Sequence, residues 1–236
     1  MEKILGSRKN KIDHETSEHW VSVSDLMSGL MMVFLFISIA LMRHALIERD
    51  KIKEVAVAYQ NNQVALYEAL KTEFQPDLKR WNAEIDKETL SFEFKSPDIL
   101  FGLGSSVMRP QFKDVLSDFF PRYMEVLNQF RDSISEVRIE GHTSSQWNTG
   151  VNPEEAYFRN MELSQARTRS VLLFVQGLKA TAEDQAWTRR NVAAVGLSSS
   201  RLVIDAKGKE DSERSRRVTF RVISNAETQI RRLIQD

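Results

Sequence analysis

The sequence predicts a single transmembrane α-helix followed by an α+β domain, a mixed β-sheet packed by helices, with a helical linker joining the two. Three observations carry that expectation. Apolar character is concentrated in one run near the N-terminus, although the chain as a whole has negative mean hydropathy. A stretch free of glycine and proline follows it, Ala45 to Phe74, with apolar residues at helical spacing. Beyond that, segments alternating apolar and polar residues are interleaved with segments of helical period.

The apolar run is "HWVSVSDLMSGLMMVFLFISIALMRH", from His19 to His44, and it is uncharged from Leu26 to Met42. A helix needs about 20 residues at 1.5 Å each to cross a hydrocarbon core, so Val21 to Met42 is long enough. Trp20 stands where an interfacial aromatic is expected. A cleaved signal peptide is the competing reading. It is disfavoured by the long charged leader, by Asp25 at the start of the apolar region and by the lack of a small-x-small site before Arg43. A buried helix of a soluble domain fits less well still. Charge does not orient the span, because Lys3, Arg8, Lys9 and Lys11 on one side are matched by Arg43, Arg49, Lys51 and Lys53 on the other.

Asp25 is the anomaly in this run. An aspartate at a bilayer centre costs about 2.5 to 3.5 kcal/mol on insertion scales, less near an interface, so such residues usually face protein or water. Helical spacing places Ser22, Asp25, Ser28, Gly29 and Met32 on one face, small and polar at one end, which suits close approach of partner helices. The plainer alternative is an interfacial aspartate that reaches the headgroups or caps a helix.

Composition limits the functions available. The chain of 236 residues is 42% hydrophobic, enough for one ordinary domain with appendages. Lysine plus arginine and aspartate plus glutamate number 33 each, so no excess of positive charge points to direct nucleic-acid binding. Cysteine is absent, which excludes disulfides and thiolate metal sites. His14, His19, His44 and His142 lack the spacing of a metal motif, and no nucleophile, base and orienting group stand together. No metal, cofactor or enzymatic activity is expected.

In the linker, Ile52, Val55, Tyr59, Asn62, Leu66 and Ala69 follow alternating steps of three and four, the spacing of a coiled-coil seam. That seam suits either self-association into a homodimer or packing against the chain's own domain. Its continuity with a membrane helix favours the former. Pro76 is expected to break the helix, and "TLSFEFK", Thr89 to Lys95, alternates as a half-buried strand does. A helix is expected from Pro110 to about Phe130, then a strand over Glu136 to Gly141. A second helix should start at Pro153 or Arg159 and end at Gln176, with Gly177 as its cap. A shorter helix over Glu183 to Val195 and strands at "RLVIDA" and "RRVTFRVIS" complete the expectation. "FGLGSS" lacks a third glycine and a lysine and reads as a turn, not a nucleotide loop.

Two motifs in this domain, "IEGHTSS" at Ile139 to Ser145 and "RNMELSQARTRSV" at Arg159 to Val171, are followed by "SERSRRVTFRV". In this order they resemble the OmpA-like peptidoglycan-binding domain over about Leu90 to Ser224. The resemblance implies that His142, Thr143, Ser144, Asn160, Leu163 and Arg167 form the peptidoglycan site, with the last three at a ligand-binding helix start. Arg167 would grip a diaminopimelate carboxylate, for which a planar guanidinium fork is suited. Two departures matter: Ser144 stands where the family has an aspartate that pairs the ligand's amino group, and Ser215 replaces an asparagine. Glu154 and Glu155 are candidates for a substitute acid.

"SVSDLMSGLMMVFLF" in turn resembles the membrane segment of the B subunits of flagellar stators and, more closely, of the Zorya anti-phage defence system. The resemblance implies that Asp25 carries an ion, H⁺ in preference to Na⁺, as part of a motor. It further implies a homodimer inside a ring of polytopic MotA-like A subunits, anchored to peptidoglycan and acting indirectly on cytoplasmic defence effectors. A wall-binding domain orients the chain in the bacterial inner membrane. The expected organisation is a cytoplasmic tail at 1–20, a span at 21–42, a periplasmic helical linker at 43–88, the OmpA-like domain at 89–224 and a C-terminal tail at 225–236. A flagellar motility subunit and a passive wall tether are the alternatives.

Overall fold

The computed structural model describes residues 5–95, 100–102, 104–148 and 150–225, with side chains from Val23 onward. The side chain of Ser22, those of the expected cytoplasmic tail, and the tail at 226–236 lie outside the described residues. The chain divides into two units, one ending at Glu54 and the other beginning at Val55.

Helix α1, Leu5–Leu78, is a single element that extends from the tail through the expected span into the linker. In the first unit its described side chains are exposed apart from the half-buried Ile52, with Leu26 at 75%, Met31 at 74% and Phe34 at 71%. The helix contains a stretch long and apolar enough to cross a membrane. Pro76 does not end it; α1 runs to Leu78, because a proline in the last turn forfeits one N–H donor and disturbs little beyond it.

In the second unit α1 is a core element. Leu66, Leu70 and Phe74, spaced by four, are buried together with the partly buried Ala69. The lower half of the coiled-coil seam is therefore used within the chain, as Leu66 and Ala69 pack on their own domain and not on a second copy. Strand β1, Ala83–Asp86, pairs with β2, Ser91–Lys95. Helix α2 is Pro110–Asn128, and β3 is Ile134–His142. Helix α3, Pro153–Gln176, ends at Gly177 as expected, and α4, Gln185–Asn191, leads into β4, Val192–Gly196. A helical turn, α5, Ser212–Ser215, precedes β5, Arg217–Ser224.

The sheet order is β1-β2-β5-β3-β4, antiparallel except for β3 with β4. That parallel pair needs a crossover, and α3 supplies it. One sheet face carries Phe92, Phe94, Val137, Ile139, Val218 and Phe220 into an aromatic core with Phe74, Phe119 and Tyr123. Ring centroids there lie as close as 4.6 Å for Phe92 and Phe119, within the range of favourable aromatic pairs. Arg122 of α2 ties this core to α1: it donates to Glu73 at 2.6 Å, to Asp77 at 2.9 Å and to Asp118 at 3.2 Å. Burial works against its charge, but those carboxylates prevail and push its pKa up.

Two expected elements are corrected. Val192 to Val195 is a strand and not the end of a helix, since β-branched residues beside β3 gain ladder bonds there. "RLVIDA" makes only a single bridge, Ile204 to Glu210, because the Asp205 carboxylate accepts from the backbone N–H of Lys207 and Lys209 and turns the chain.

Candidate functional site

The site in the domain is set by how closely α3 lies on the sheet. Gly141 of β3 is paired with Gly196 of β4. A Cβ on Gly141 would stand 2.8 Å from the Ser164 carbonyl oxygen, and one on Gly196 would stand 2.5 Å from the Gln165 backbone nitrogen. Glycine at both positions is what lets the helix backbone settle there. Ser164 Oγ then accepts from the Ser198 N–H at 3.2 Å, and Ser198 Oγ donates to the Tyr157 carbonyl at 2.7 Å. The Thr143 N–H donates to the Ser198 carbonyl at 2.9 Å, which brings the loop after β3 onto the same framework.

Asn160 and Arg167 project from the middle of this helix. Asn160 is buried, and its amide donates to the carbonyls of Ser144 at 3.1 Å and Gln146 at 3.2 Å, fixing the loop after the G-H-T motif. Arg167 is 7% exposed; its Nε donates to the Ser105 carbonyl at 2.9 Å and its guanidinium lies 5.0 Å from the Phe101 ring. Thr143, Ser144, Asn160, Leu163 and Arg167 together line a cleft of about 440 Å³. Gly104, Gln146, Trp147, Asn148 and Arg216 complete its wall, and sequence reasoning did not assign them. Their only signal is the polar, turn-rich loop wording, which does not reveal what the loop faces.

Four expectations change. His142 does not line this cleft. Strand alternation turns it to the opposite sheet face, where its side chain is fully buried 3.5 Å from Glu140. Burial lowers its pKa, and Arg217 and Arg201 lower it further, against the attraction of the Glu140 carboxylate. Asn160, Leu163 and Arg167 are not at a helix start, because α3 begins at Pro153 with Asn152 as its cap, accepting from the Glu155 N–H at 2.8 Å. Arg167 is about 21 Å along the axis, fourteen residues (167 − 153) at 1.5 Å each, so helix-end donors do not serve it. Glu155 instead pairs with Arg159 at 2.6 Å, and Glu154 is exposed outside the cleft.

An acid far along the chain reaches the altered motif: Glu210, whose carboxylate accepts from the Ser145 N–H at 2.9 Å and also from the Ser145 hydroxyl. A separation of 65 residues left it invisible to the sequence. Ser215 is structural: its buried Oγ accepts from the Val203 N–H at 2.8 Å. The cleft thus offers guanidinium and amide donors beside an apolar Leu163, an arrangement suited to a carboxylate on a short aliphatic or peptide ligand.

The second set of candidate residues lies in the other unit. Asp25, Ser28, Gly29 and Met32 are all exposed on α1. Ser28 Oγ donates to the Ser24 carbonyl at 2.8 Å, which turns its hydroxyl along its own helix. No atom lies within 4 Å of where a Gly29 Cβ would stand, so the helix surface is flat beside Asp25. Among the described residues Asp25 has neither a hydrogen bond nor an ion pair.

No family model matches the chain. It is 58% identical over 236 residues to the Zorya protein ZorB of Escherichia coli, with all of each chain covered. The chain belongs to the ZorB family. Among solved structures it is similar to a MotB-like protein from Desulfovibrio vulgaris, with a TM-score of 0.50 and 22% identity over 72% of this chain and 94% of that one. It is also similar to the cell wall anchor of the T6SS from Pseudomonas aeruginosa, with a TM-score of 0.45 and 22% identity over 66% of this chain and 96% of that one. The ZorB-family domain therefore has the MotB-like, OmpA-like fold that its motifs led one to expect, and the long N-terminal helix of the chain, Leu5–Leu78, carries the apolar stretch.

Proposed function

We propose that this chain is the wall-anchored, ion-carrying subunit of a membrane motor that acts in anti-phage defence. In this reading residues 21–42 cross the inner membrane with the N-terminus in the cytoplasm, and the domain at 89–224 stands in the periplasm. The cleft binds the peptide stem of peptidoglycan, with Arg167 on a carboxylate and Asn160 holding the Ser144 loop. The observation that carries the reading is the convergence of Thr143, Ser144, Asn160, Leu163 and Arg167 in one cleft of a ZorB-family chain. Asp25 takes up and releases H⁺, and two copies inside a ring of polytopic MotA-like subunits turn that exchange into motion transmitted to cytoplasmic effectors. Membership of the family and the unsatisfied carboxylate of Asp25 on a small-residue helix face support this part.

The wall-binding half is tested by retention of the detergent-solubilised full chain on purified sacculi. Arg167→Ala should weaken retention about tenfold or more, the worth of a hydrogen bond to a charged group; equal retention removes Arg167 from the site. The motor half is tested by Asp25→Asn, which should abolish phage protection without loss of assembly. Protection that persists in that variant leaves a passive wall tether as the better account.

A further inference from the structure

The wall of the cleft includes α3, through Asn160 and Arg167, the loop after β3, through Ser144 and Gln146, and the residue that follows α5, Arg216. Asn160 ties the first of these to the second, because its amide holds the carbonyls of Ser144 and Gln146. Glu210 ties the second to the third. Its half-buried carboxylate accepts from the Ser145 N–H at 2.9 Å and from the Ser145 hydroxyl on the loop side, and from Ser212 Oγ at 3.2 Å on the other. The Ser212 carbonyl in turn accepts from Arg216 Nε at 3.1 Å. Bonds therefore run in sequence from Asn160 through the loop and Glu210 to Arg216, although Glu210 itself is not on the cleft wall.

The segment that carries Glu210 is itself held in place. Ser215 Oγ accepts from the Val203 N–H at 2.8 Å, the Asp211 N–H donates to the Val203 carbonyl at 2.8 Å, and the Asp211 carboxylate caps α5 by accepting from the Arg214 N–H at 3.0 Å. A carboxylate accepts on both oxygens, and bonds to an ionised acceptor are roughly twice as strong as neutral ones. We propose that Glu210 is a positioning residue of the cleft: by holding Ser145 it fixes the spacing between the Ser144 loop and Arg216, and so the grip of the site on its ligand. The role rests on the wall-binding reading and adds to it a residue that acts without touching the ligand. Its carboxylate serves as a pair of acceptors, not as a charge for the ligand to meet. A site left about 1 Å too loose loses function although every group is present, which is why a support behind the wall matters.

The test is retention of the detergent-solubilised full chain on purified sacculi. Glu210→Ala should weaken retention about tenfold, the scale of a lost hydrogen bond to a charged group. Glu210→Gln keeps the length and can serve the same partners, its carbonyl accepting from the Ser145 N–H and its NH2 donating to the Ser145 hydroxyl oxygen, so retention should return to within about threefold of the wild type. Glu210→Asp keeps the charge but withdraws it by about 1.5 Å, one carbon–carbon bond, and should behave as Ala does. Gln no better than Ala, or Asp as good as Gln, makes the residue a charge partner of the ligand and overturns the positioning role. Loss in Arg167→Ala with none in Glu210→Ala overturns this role alone, whereas equal retention by the wild type and Arg167→Ala takes down the wall-binding reading and this role together. Amide exchange gives a readout without ligand: Glu210→Ala should speed exchange of the Ser145 N–H about tenfold or more while leaving Phe92–Phe94 unchanged. Unchanged exchange at Ser145 overturns the proposal, and faster exchange at both places makes Glu210 a residue of overall stability and overturns it as well.

Discussion

Asp25 in the apolar stretch of α1 and Glu140 in the sheet are both acids set among residues that do not suit a charge, and the chain treats them in opposite ways. Glu140 is 3% exposed, with His142 and Arg201 each at 3.5 Å and Arg221 at 4.0 Å. Burial would raise its pKa, but the neighbouring His142, Arg201 and Arg221 outweigh that and hold it below the usual carboxylate value. Asp25 has no such company among the described residues. An acid paired within its own chain belongs to the fold, whereas the exposed Asp25 is the one that the proposed motor role uses.

That contrast can be broken or sharpened experimentally, and the largest effect should come from the core that holds Glu140's sheet in place. Phe119→Ala removes a ring that touches Phe92, Phe94 and Tyr123 and should destabilise the domain by about 3 to 5 kcal/mol, read by denaturant unfolding. Glu140→Gln should cost about 1 to 3 kcal/mol in the same assay, because it leaves the half-buried Arg221 and the exposed Arg201 facing a neutral buried amide. Asp25→Asn, by comparison, should leave unfolding unchanged while abolishing protection. If Asn at 25 destabilised the domain as Gln at 140 does, the distinction between the two acids would fail.

His142 gives a pH test of the same face. Its pKa is lowered in the folded state from an ordinary 6.5, so the unfolded chain binds the proton first. The stability it contributes is whole above pH 6.5 and is lost as pH falls through and below that value, by up to about 1.4 kcal/mol per pH unit. His142→Gln should flatten the dependence in thermal unfolding followed from pH 7 to 5. The smallest effect should come from Tyr123, whose buried hydroxyl finds no partner among the described residues and whose pKa burial pushes up. Tyr123→Phe should stabilise the domain by about 1 kcal/mol or less, measured as a small rise in Tm.

Legibility followed the range of the interactions. The apolar run, "SFEFK", "RVTFRVIS" and the helix at Pro110–Asn128 could be read directly, since each declares itself by a period within its own residues. Strand β1, "AEID", is four residues on a sheet edge, and its alternation is too short to declare a strand. The expected helix takes in Val192 to Val195 because alanine suits one, and only pairing with β3 makes that segment a strand. In the site, Asn160, Leu163 and Arg167 were recognisable from their motif, whereas Gln146, Trp147 and Arg216 were not, because they meet the cleft only once the loop and β5 are folded over it.

The sequence by itself determined that one stretch is apolar enough to span a membrane, that this stretch keeps a single acid, and that a sheet-and-helix domain with a G-H-T loop follows, because composition, period and motif are local properties. Tertiary structure alone decided the rest: that His142 faces away from the cleft, that Glu210 and not Glu155 supplies the carboxylate beside Ser145, and that Leu66 to Phe74 belong to the domain core. Each of those depends on which face of a strand or helix meets which neighbour, and that is settled only when residues far apart in the chain compete for the same interior.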